Sequence, residues 1–356
     1  MSKQWNVQVA KPFTWYTHPL TNCVSGNGKP YSITLKKGTA NKLIVNFLGG
    51  GLSWNEETAQ RPFSITAAMG KKDWYYIEHI SKLMQSVMHA GVLAANDVKN
   101  PFNEWHVLNI PYCTGDFHIG NNHFQYSSKM GEVKTLHHQG AYNVEATLLV
   151  LQEFFPTTPD TLLIMGQSAG GFGCVAHAPA IQKLYPDCKN TVVYADGSHL
   201  HAPIWETVAQ DIWKVNQELL AYIKSEDLIF DLFRFAGDHM LKNTIFLHSL
   251  SVWDVALVEF MHKMNSGKKE INPQALAYFH QTLKKTVTKC KESVPNYHYY
   301  LTDYAKKKDG TTPHIFVGSP KLFYGEMEEG VSIAKWLQDA VNENPKDVGQ
   351  RFLNNK

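Results

Sequence analysis

The sequence predicts an α/β fold: a mostly parallel central sheet with helices on both faces. Three observations lead to it. Continuous apolar runs bounded by turn residues recur along the chain. Stretches with helical periodicity separate them. And the run Leu162-Leu163-Ile164-Met165 leads straight into Gly166-Gln167-Ser168-Ala169-Gly170, a strand that turns abruptly into a helix. Strands covered on both faces read as unbroken apolar runs, whereas half-exposed strands alternate.

The elements follow in order. Leu43-Ile44-Val45-Asn46-Phe47-Leu48 is the first buried strand, and Val107-Leu108-Asn109-Ile110 is another. Residues 140–154 carry Ala141, Val144, Ala146, Leu149 and Val150 at helical spacing and stop before Pro156. The strand 162–165 precedes a helix that starts with small residues: Ala169, Gly170, Gly171 and Gly173. Thr191-Val192-Val193-Tyr194-Ala195 is the next strand. Residues 201–224 read as one amphipathic helix, with Ile204, Val208, Ile212, Val215 and Leu219 on its core face. Thr244-Ile245-Phe246-Leu247 and 297–301 are further strands; 276–289 and 331–341 are further helices. Two stretches, about 198–242 and 255–296, exceed an ordinary crossover and are expected to form helical cap insertions over the strand ends. No linker, repeat or low-complexity tract interrupts the chain, so 1–356 is expected to be a single domain.

Composition narrows the function. The hydrophobic fraction is 44% and the charged fraction 19%, as in a globular enzyme rather than a disordered chain. The net charge of +2 and the short clusters Lys306-Lys307-Lys308 and Lys268-Lys269 give no basic stripe, so no nucleic-acid partner is expected. No run approaches a membrane span, and no membrane partner is expected. Cys23, Cys113, Cys174, Cys188 and Cys290 are scattered and odd in number, which predicts mostly reduced thiols. The start Met1-Ser2-Lys3-Gln4-Trp5-Asn6 has no apolar signal segment, so a soluble, cytoplasmic protein is expected, or a secreted one if a signal was removed. Nothing predicts the oligomeric state.

The chemistry starts at Ser168. A G-x-S-x-G turn between strand and helix holds the serine hydroxyl clear of the backbone, a nucleophile elbow. Its glycines are needed where strand and helix leave no room for a Cβ. The helix N-terminus brings free N–H groups and the positive dipole end to where an oxyanion would form. Serine needs a base, and the base needs an orienting acid. In the α/β-hydrolase arrangement these follow in the order nucleophile, acid, histidine, each on a post-strand loop. Asp254 lies in the loop after the strand 244–247, and His314 lies late in the chain, before the last helix. Asp196, after the strand 191–195, is the rival acid, and His298 the rival base. His137 and His138 precede a helix, His177 lies nine residues after the serine on the same helix and is expected to pack, and Asp211 is mid-helix. Leu48-Gly49-Gly50-Gly51-Leu52 follows a strand and can present N–H groups to the serine. Gly50, Gly51 and Ala169 are the candidate oxyanion donors.

The glycine run Phe47-Leu48-Gly49-Gly50-Gly51, together with Tyr112-Cys113-Thr114-Gly115-Asp116-Phe117-His118-Ile119-Gly120, Gly166-Gln167-Ser168-Ala169-Gly170-Gly171 and Tyr194-Ala195-Asp196-Gly197, resembles the motifs of the pectin acetylesterase family. The resemblance runs from about residue 40 to 340. It implies an α/β-hydrolase fold, a serine esterase, and a triad of Ser168, Asp254 and His314. The chain departs from the family at Leu52, where Trp is common, and at Ser53, where plant members carry Cys. It also lacks the cysteine-rich pattern of secreted members and looks nearer to signal-less microbial ones. Polysaccharide as the substrate is therefore less secure than ester hydrolysis.

Asp116 and His118 form a D-x-H pair, but no H-E-x-x-H or Cys pair accompanies it, so no metal is expected. Asp116 is expected beside the glycine run. Trp54, Trp205 and Trp253 lie near site elements in the sequence, and Trp54, Asp116 and Trp253 are taken as candidate substrate-binding residues. The reading is a serine carboxylesterase that removes an acetyl or other short acyl group from a hydroxylated small molecule or carbohydrate, with no cofactor. The alternatives are a thioesterase, lipase or polyester depolymerase, or a catalytically silent fold that binds a ligand.

Overall fold

The computed structural model describes residues 10–62 and 75–354. The segment 1–6, read above for a signal, lies outside the described residues. The strands used below are β1 (Trp15–Val24), β2 (Pro30–Lys36), β3 (Lys42–Phe47), β4 (His106–Ile110), β5 (Asn122–Ser127), β6 (Val133–His138), β7 (Thr161–Gln167), β8 (Asn190–Asp196), β9 (Ile245–Ser251) and β10 (Tyr297–Thr302). Eight of them form one sheet in the order β1-β2-β4-β3-β7-β8-β9-β10. From β4 to β10 every neighbouring pair is parallel, while β1 and β2 extend one edge antiparallel. β5 and β6 pair with each other in a separate hairpin.

Every residue of β7, β8 and β9 is buried, which is why these strands read as unbroken apolar runs. Alternate side chains enter two cores. Leu162, Ile164, Val193 and Ala195 point into one, and Leu163, Met165, Val192 and Tyr194 into the other. The fold is thus the α/β-hydrolase type that the sequence predicts, with a mostly parallel sheet between two helical layers.

The helices used below are α1 (Lys82–Val87), α2 (Gly140–Phe154), α3 (Ala169–Leu184), α4 (Leu228–His239), α5 (Val255–Ser266), α6 (Pro273–Ser293) and α7 (Ile333–Val341). α7 seals the second core with Trp336 and Leu337. Within 198–242 and 255–296, α4 packs on α3 and α6, and α6 packs on α5 and β10.

Residues 201–224 do not form the single helix that their spacing predicts. Lys214 adopts φ 54 and breaks the chain direction. Asn216 then caps a new turn, its side chain accepting the Leu219 N–H at 2.9 Å. Val208, Val215 and Leu219 nevertheless stay in the core. The edge strands β1 and β2 carry no continuous apolar run. β1 mixes exposed and buried positions around an irregularity between Pro19 and Val24, so the sequence did not announce it.

All five cysteines are buried and unpaired. Among the described residues, no helix is long and apolar enough to cross a membrane.

Candidate active site

β3 and β7 are parallel neighbours, with Phe47 opposite Gly166. The loops leaving their C-terminal ends therefore emerge side by side. This is the crevice position of open α/β sheets.

The loop after β7 is the elbow. Ser168 sits at φ 55, ψ −124, a conformation that costs energy for any residue with a side chain. Close packing explains the flanking glycines. A Cβ on Gly166 would lie 2.1 Å from the Gly170 carbonyl oxygen, and one on Gly170 would lie 2.0 Å from that of Phe47. The bend is fixed by its backbone. The Ser168 N–H donates to the Asp196 carbonyl at 2.7 Å, and the Ser168 carbonyl accepts from Ser198 Oγ at 2.7 Å and from the Gly171 N–H at 3.0 Å.

Asp254 and His314 meet. His314 Nδ1 donates to Asp254 Oδ2 at 2.7 Å. Asp254 is fully buried, and its other oxygen caps α5, accepting the N–H groups of Ala256 and Leu257 at 3.0 Å each. The carboxylate is thereby held from both sides. A single parallel bridge aligns the two loops: Thr312 N–H donates to the Trp253 carbonyl and Val255 N–H to that of Thr312. Burial alone would pull the His314 pKa down. The Asp254 carboxylate, with a further contribution from Asp196, outweighs this, and the net shift is upward from 6.5.

The glycine run after β3 abuts the elbow. A Cβ on Gly49 would stand 2.7 Å from Ser168 Cβ and 3.2 Å from the Ala169 nitrogen. Among the described residues, no hydrogen-bond acceptor takes the N–H groups of Gly49, Gly50 or Gly51, whereas the Gly50 carbonyl is occupied by the Ile77 N–H. Gly51 stands at φ +82, where a side chain is strained. Leu48, at the base of the run, is pinned from both ends. Its N–H donates to the Ile110 carbonyl, and its carbonyl accepts from His118 Nε2 at 2.9 Å.

Ser168, Gln167, His314, Ile315 and Gly49–Gly51 line one cavity of about 440 Å³ with Leu48, Val87, Met88, Gly318 and Ser319. The sequence reading missed Val87 and Met88. They come from the C-terminal end of α1, Val87 as its last residue and Met88 as its cap, and its six residues are too few to show a periodic pattern.

The other candidates are elsewhere. Asp116 does not face this cavity. It is fully buried, and its oxygens accept Thr114 Oγ1 at 2.6 Å, the His118 N–H at 3.1 Å and the Gly140 N–H at 2.8 Å. It braces the 114–118 loop against α2, and burial pushes its pKa up to about 6. Trp54 is buried edge-on against Tyr75 and Phe260. Trp253 packs on His280, with Lys306 Nζ 3.5 Å over its ring. Neither tryptophan lines the cavity, because each turns into its neighbouring helix layer rather than the crevice.

The rival triad members have other partners. His298 pairs with Asp347 at 3.1 Å. The Asp196 carboxylate accepts from Ser249 Oγ and from the Phe316 and Val317 N–H groups. His138 donates to the Thr114 carbonyl, His177 to that of His118, and His137 meets His123.

A family model described as Pectinacetylesterase matches residues 17–210, which includes the glycine run and the elbow. Among solved structures the chain is similar to the Wnt deacylase Notum from Drosophila. In one crystal form the TM-score is 0.60 at 15% identity, over 92% of each chain. In a second form it is 0.60 at 14% identity, over 92% of this chain and 93% of that one. Identity this low shows a shared fold. No sequence among curated proteins matches.

Proposed function

Because the chain belongs to the pectinacetylesterase family of carboxylic ester hydrolases, we propose that it is a serine esterase in which Ser168, His314 and Asp254 act as nucleophile, base and orienting acid. The observation that carries this reading is the shared cavity. Ser168, on its strained elbow, and His314, bonded through Nδ1 to buried Asp254, line the same space.

The steps follow from the geometry. With Nδ1–H committed to Asp254, the neutral imidazole keeps Nε2 free to accept a proton. Ser168 Oγ attacks the ester carbonyl carbon while its proton passes to His314. The oxyanion is received by the N–H groups of Gly50, Gly51 and Ala169. The imidazolium returns the proton to the departing alkoxide, leaving an acyl-serine. Water, deprotonated by His314, attacks the acyl-serine; the carboxylic acid leaves and Ser168 regains its proton. No cofactor takes part.

The substrate read from the motifs is an acetyl or other short-chain ester of a hydroxylated compound, with a carbohydrate as the leading class. A second reading, release of a longer apolar acyl chain by a lipase, thioesterase or polyester depolymerase, draws support from the cavity. Its volume of about 440 Å³ and its side chains Leu48, Val87, Met88 and Ile315 exceed what an acetyl group occupies. Notum, a structural relative, is a Wnt deacylase.

Two measurements test the proposal. Ser168→Ala is expected to abolish p-nitrophenyl acetate turnover with an unchanged circular dichroism spectrum; retained turnover overturns it. A fluorophosphonate probe is expected to label the wild type and not this variant. Lack of labelling in both would favour a silent binding protein. A chain-length series of acyl esters then separates the two substrate readings.

A further inference from the structure

Asp196 joins the two segments that the proposed chemistry needs. Its backbone carbonyl accepts the Ser168 N–H at 2.7 Å. Its Oδ2 accepts the N–H groups of Phe316 at 2.7 Å and Val317 at 3.0 Å, two and three residues beyond His314. Its Oδ1 accepts Ser249 Oγ at 2.7 Å, and Ser249 is in turn 2.9 Å from the Tyr194 hydroxyl. Asp196 is fully buried. One residue therefore ties the end of β7 to the loop that carries the imidazole.

The next residue completes the seat. Gly197 stands at φ +63, and a Cβ there would lie 2.9 Å from Ile315 Cγ2 and 3.4 Å from His314 Cε1. The His314 loop rests directly on this turn. Ile315 itself sits at φ 51, a conformation that surrounding contacts must maintain. The two N–H anchors on Asp196 come immediately after it.

Resting on the reading of His314 as the base, we propose that the Asp196–Gly197 turn is a positioning device: its carboxylate anchors the base loop at a fixed distance from Ser168 and adds a second negative charge facing the imidazole. The charged groups that act on His314 are Asp254, from the start of α5, and Asp196, from the end of β8, and the turn beside Asp196 abuts the ring, with a Cβ on Gly197 3.4 Å from His314 Cε1. Tyr194 and Ser249 face Asp196 from β8 and β9. Burial raises the Asp196 pKa, while the Val317 N–H, the Ser249 hydroxyl, the Phe316 N–H and His314 oppose that shift. All three of its side-chain partners donate, so the carboxylate, a pure acceptor, is the form that satisfies them.

Two variants separate charge from geometry. Asp196→Asn is nearly isosteric; its amide oxygen can still accept the loop N–H groups while the charge is lost. The His314 imidazole pKa, read by NMR on histidine-labelled protein, is expected to fall by about one unit. The acid limb of kcat/KM should fall with it. Gly197→Ala keeps the charge and displaces the ring. It is expected to lower kcat by on the order of ten- to a hundredfold with KM little changed. An unmoved imidazole pKa in Asp196→Asn overturns the proposal, and so does an undiminished kcat in Gly197→Ala. If Asp196→Asn fails to fold, Gly197→Ala decides. The NMR arm needs no turnover, so a wild type without esterase activity would sink the functional reading and still leave this inference decided.

Discussion

His314 and His118 are both largely withdrawn from water, yet their environments drive them in opposite directions. His118 gives its Nε2–H to a carbonyl, that of Leu48, and burial pulls its pKa down to about 3. His314 gives its Nδ1–H to a carboxylate, and its pKa goes up despite burial. The difference is the partner's charge. A carbonyl fixes a neutral ring, and a neutral ring pins a backbone. A carboxylate lets the ring become an imidazolium at low cost, which is what a base must do. His248 and His138 repeat the His118 pattern: each donates to a carbonyl and is lowered to about 4, mainly by burial.

The contrast is broken most directly at the carboxylate-paired member. His314→Ala should reduce kcat by on the order of 10⁶-fold, and combining it with Ser168→Ala should cost little more, since groups that act as a unit are not additive. Asp254→Asn should reduce kcat by about 10⁴-fold, because an amide can donate to Nδ1 and stabilise the wrong tautomer. An Asp254→Asn enzyme with near-native kcat would place the orienting group elsewhere.

The neutral members predict an acid-sensitive fold. His118, His138 and His248 have folded pKa values depressed below the ordinary 6.5. As pH falls below 6.5, the unfolded chain takes up protons that the folded chain refuses. Each such histidine can then withdraw up to about 1.4 kcal/mol of stability per pH unit, until its folded pKa is reached near 3 to 4. His314 has the opposite sign: its raised pKa contributes stability that is complete below 6.5 and fades as pH rises through the folded value. The urea midpoint should therefore fall as pH drops below about 6.5, and keep falling toward pH 4. Catalysis has its own limb. kcat/KM should rise with pH through the His314 pKa, with its half-point above 6.5. A half-point below 6.5 would argue against the carboxylate's influence.

His118→Phe sharpens the comparison further. Phenylalanine fills the space but leaves the Leu48 carbonyl without its donor, at a cost of about 1–3 kcal/mol. The glycine run should loosen, and kcat should drop by on the order of tenfold or more. The acid limb should stay in place, because His118 does not titrate near neutrality. A shifted limb would mean that His118 belongs to the proton path after all.

How far the sequence reached has physical reasons. Strands buried on both faces, such as Thr161–Gln167, announce themselves through unbroken apolar runs. The meeting of Asp254 and His314 was legible because strand order dictates which loops can come together. Side-chain direction was not legible. Trp253 precedes Asp254 by one residue, yet its ring lies against His280 and Lys306. Asp116 was drawn toward the substrate by a motif whose partners prove to be backbone N–H groups and a threonine. Periodicity over 201–224 could not reveal that Lys214 would take φ 54. Nor could it show that Asp196, a plausible acid by position, would spend one oxygen on the Phe316 and Val317 N–H groups and the other on Ser249.

The smallest expected effect tests whether a carboxylate partner alone makes a histidine a base. His298 has one: its Nδ1 lies 3.1 Å from Asp347 Oδ1, as His314's lies beside Asp254. But Asp347 also pairs with Lys291 at 2.8 Å, and His298 lies on β10, at the far edge of the sheet order from the crevice between β3 and β7. A cation on the same carboxylate offsets its influence on the ring. The cavity beside His298 is lined by residues 291–298, and Ser168 is not among them. His298→Gln should therefore leave kcat and KM within about twofold of wild type and cost at most about 1 kcal/mol of stability, the range of a partly exposed pair. If this variant instead lost activity on the scale of His314→Ala, proximity to Ser168 would no longer distinguish the two rings, and the assignment of the base would fall with it.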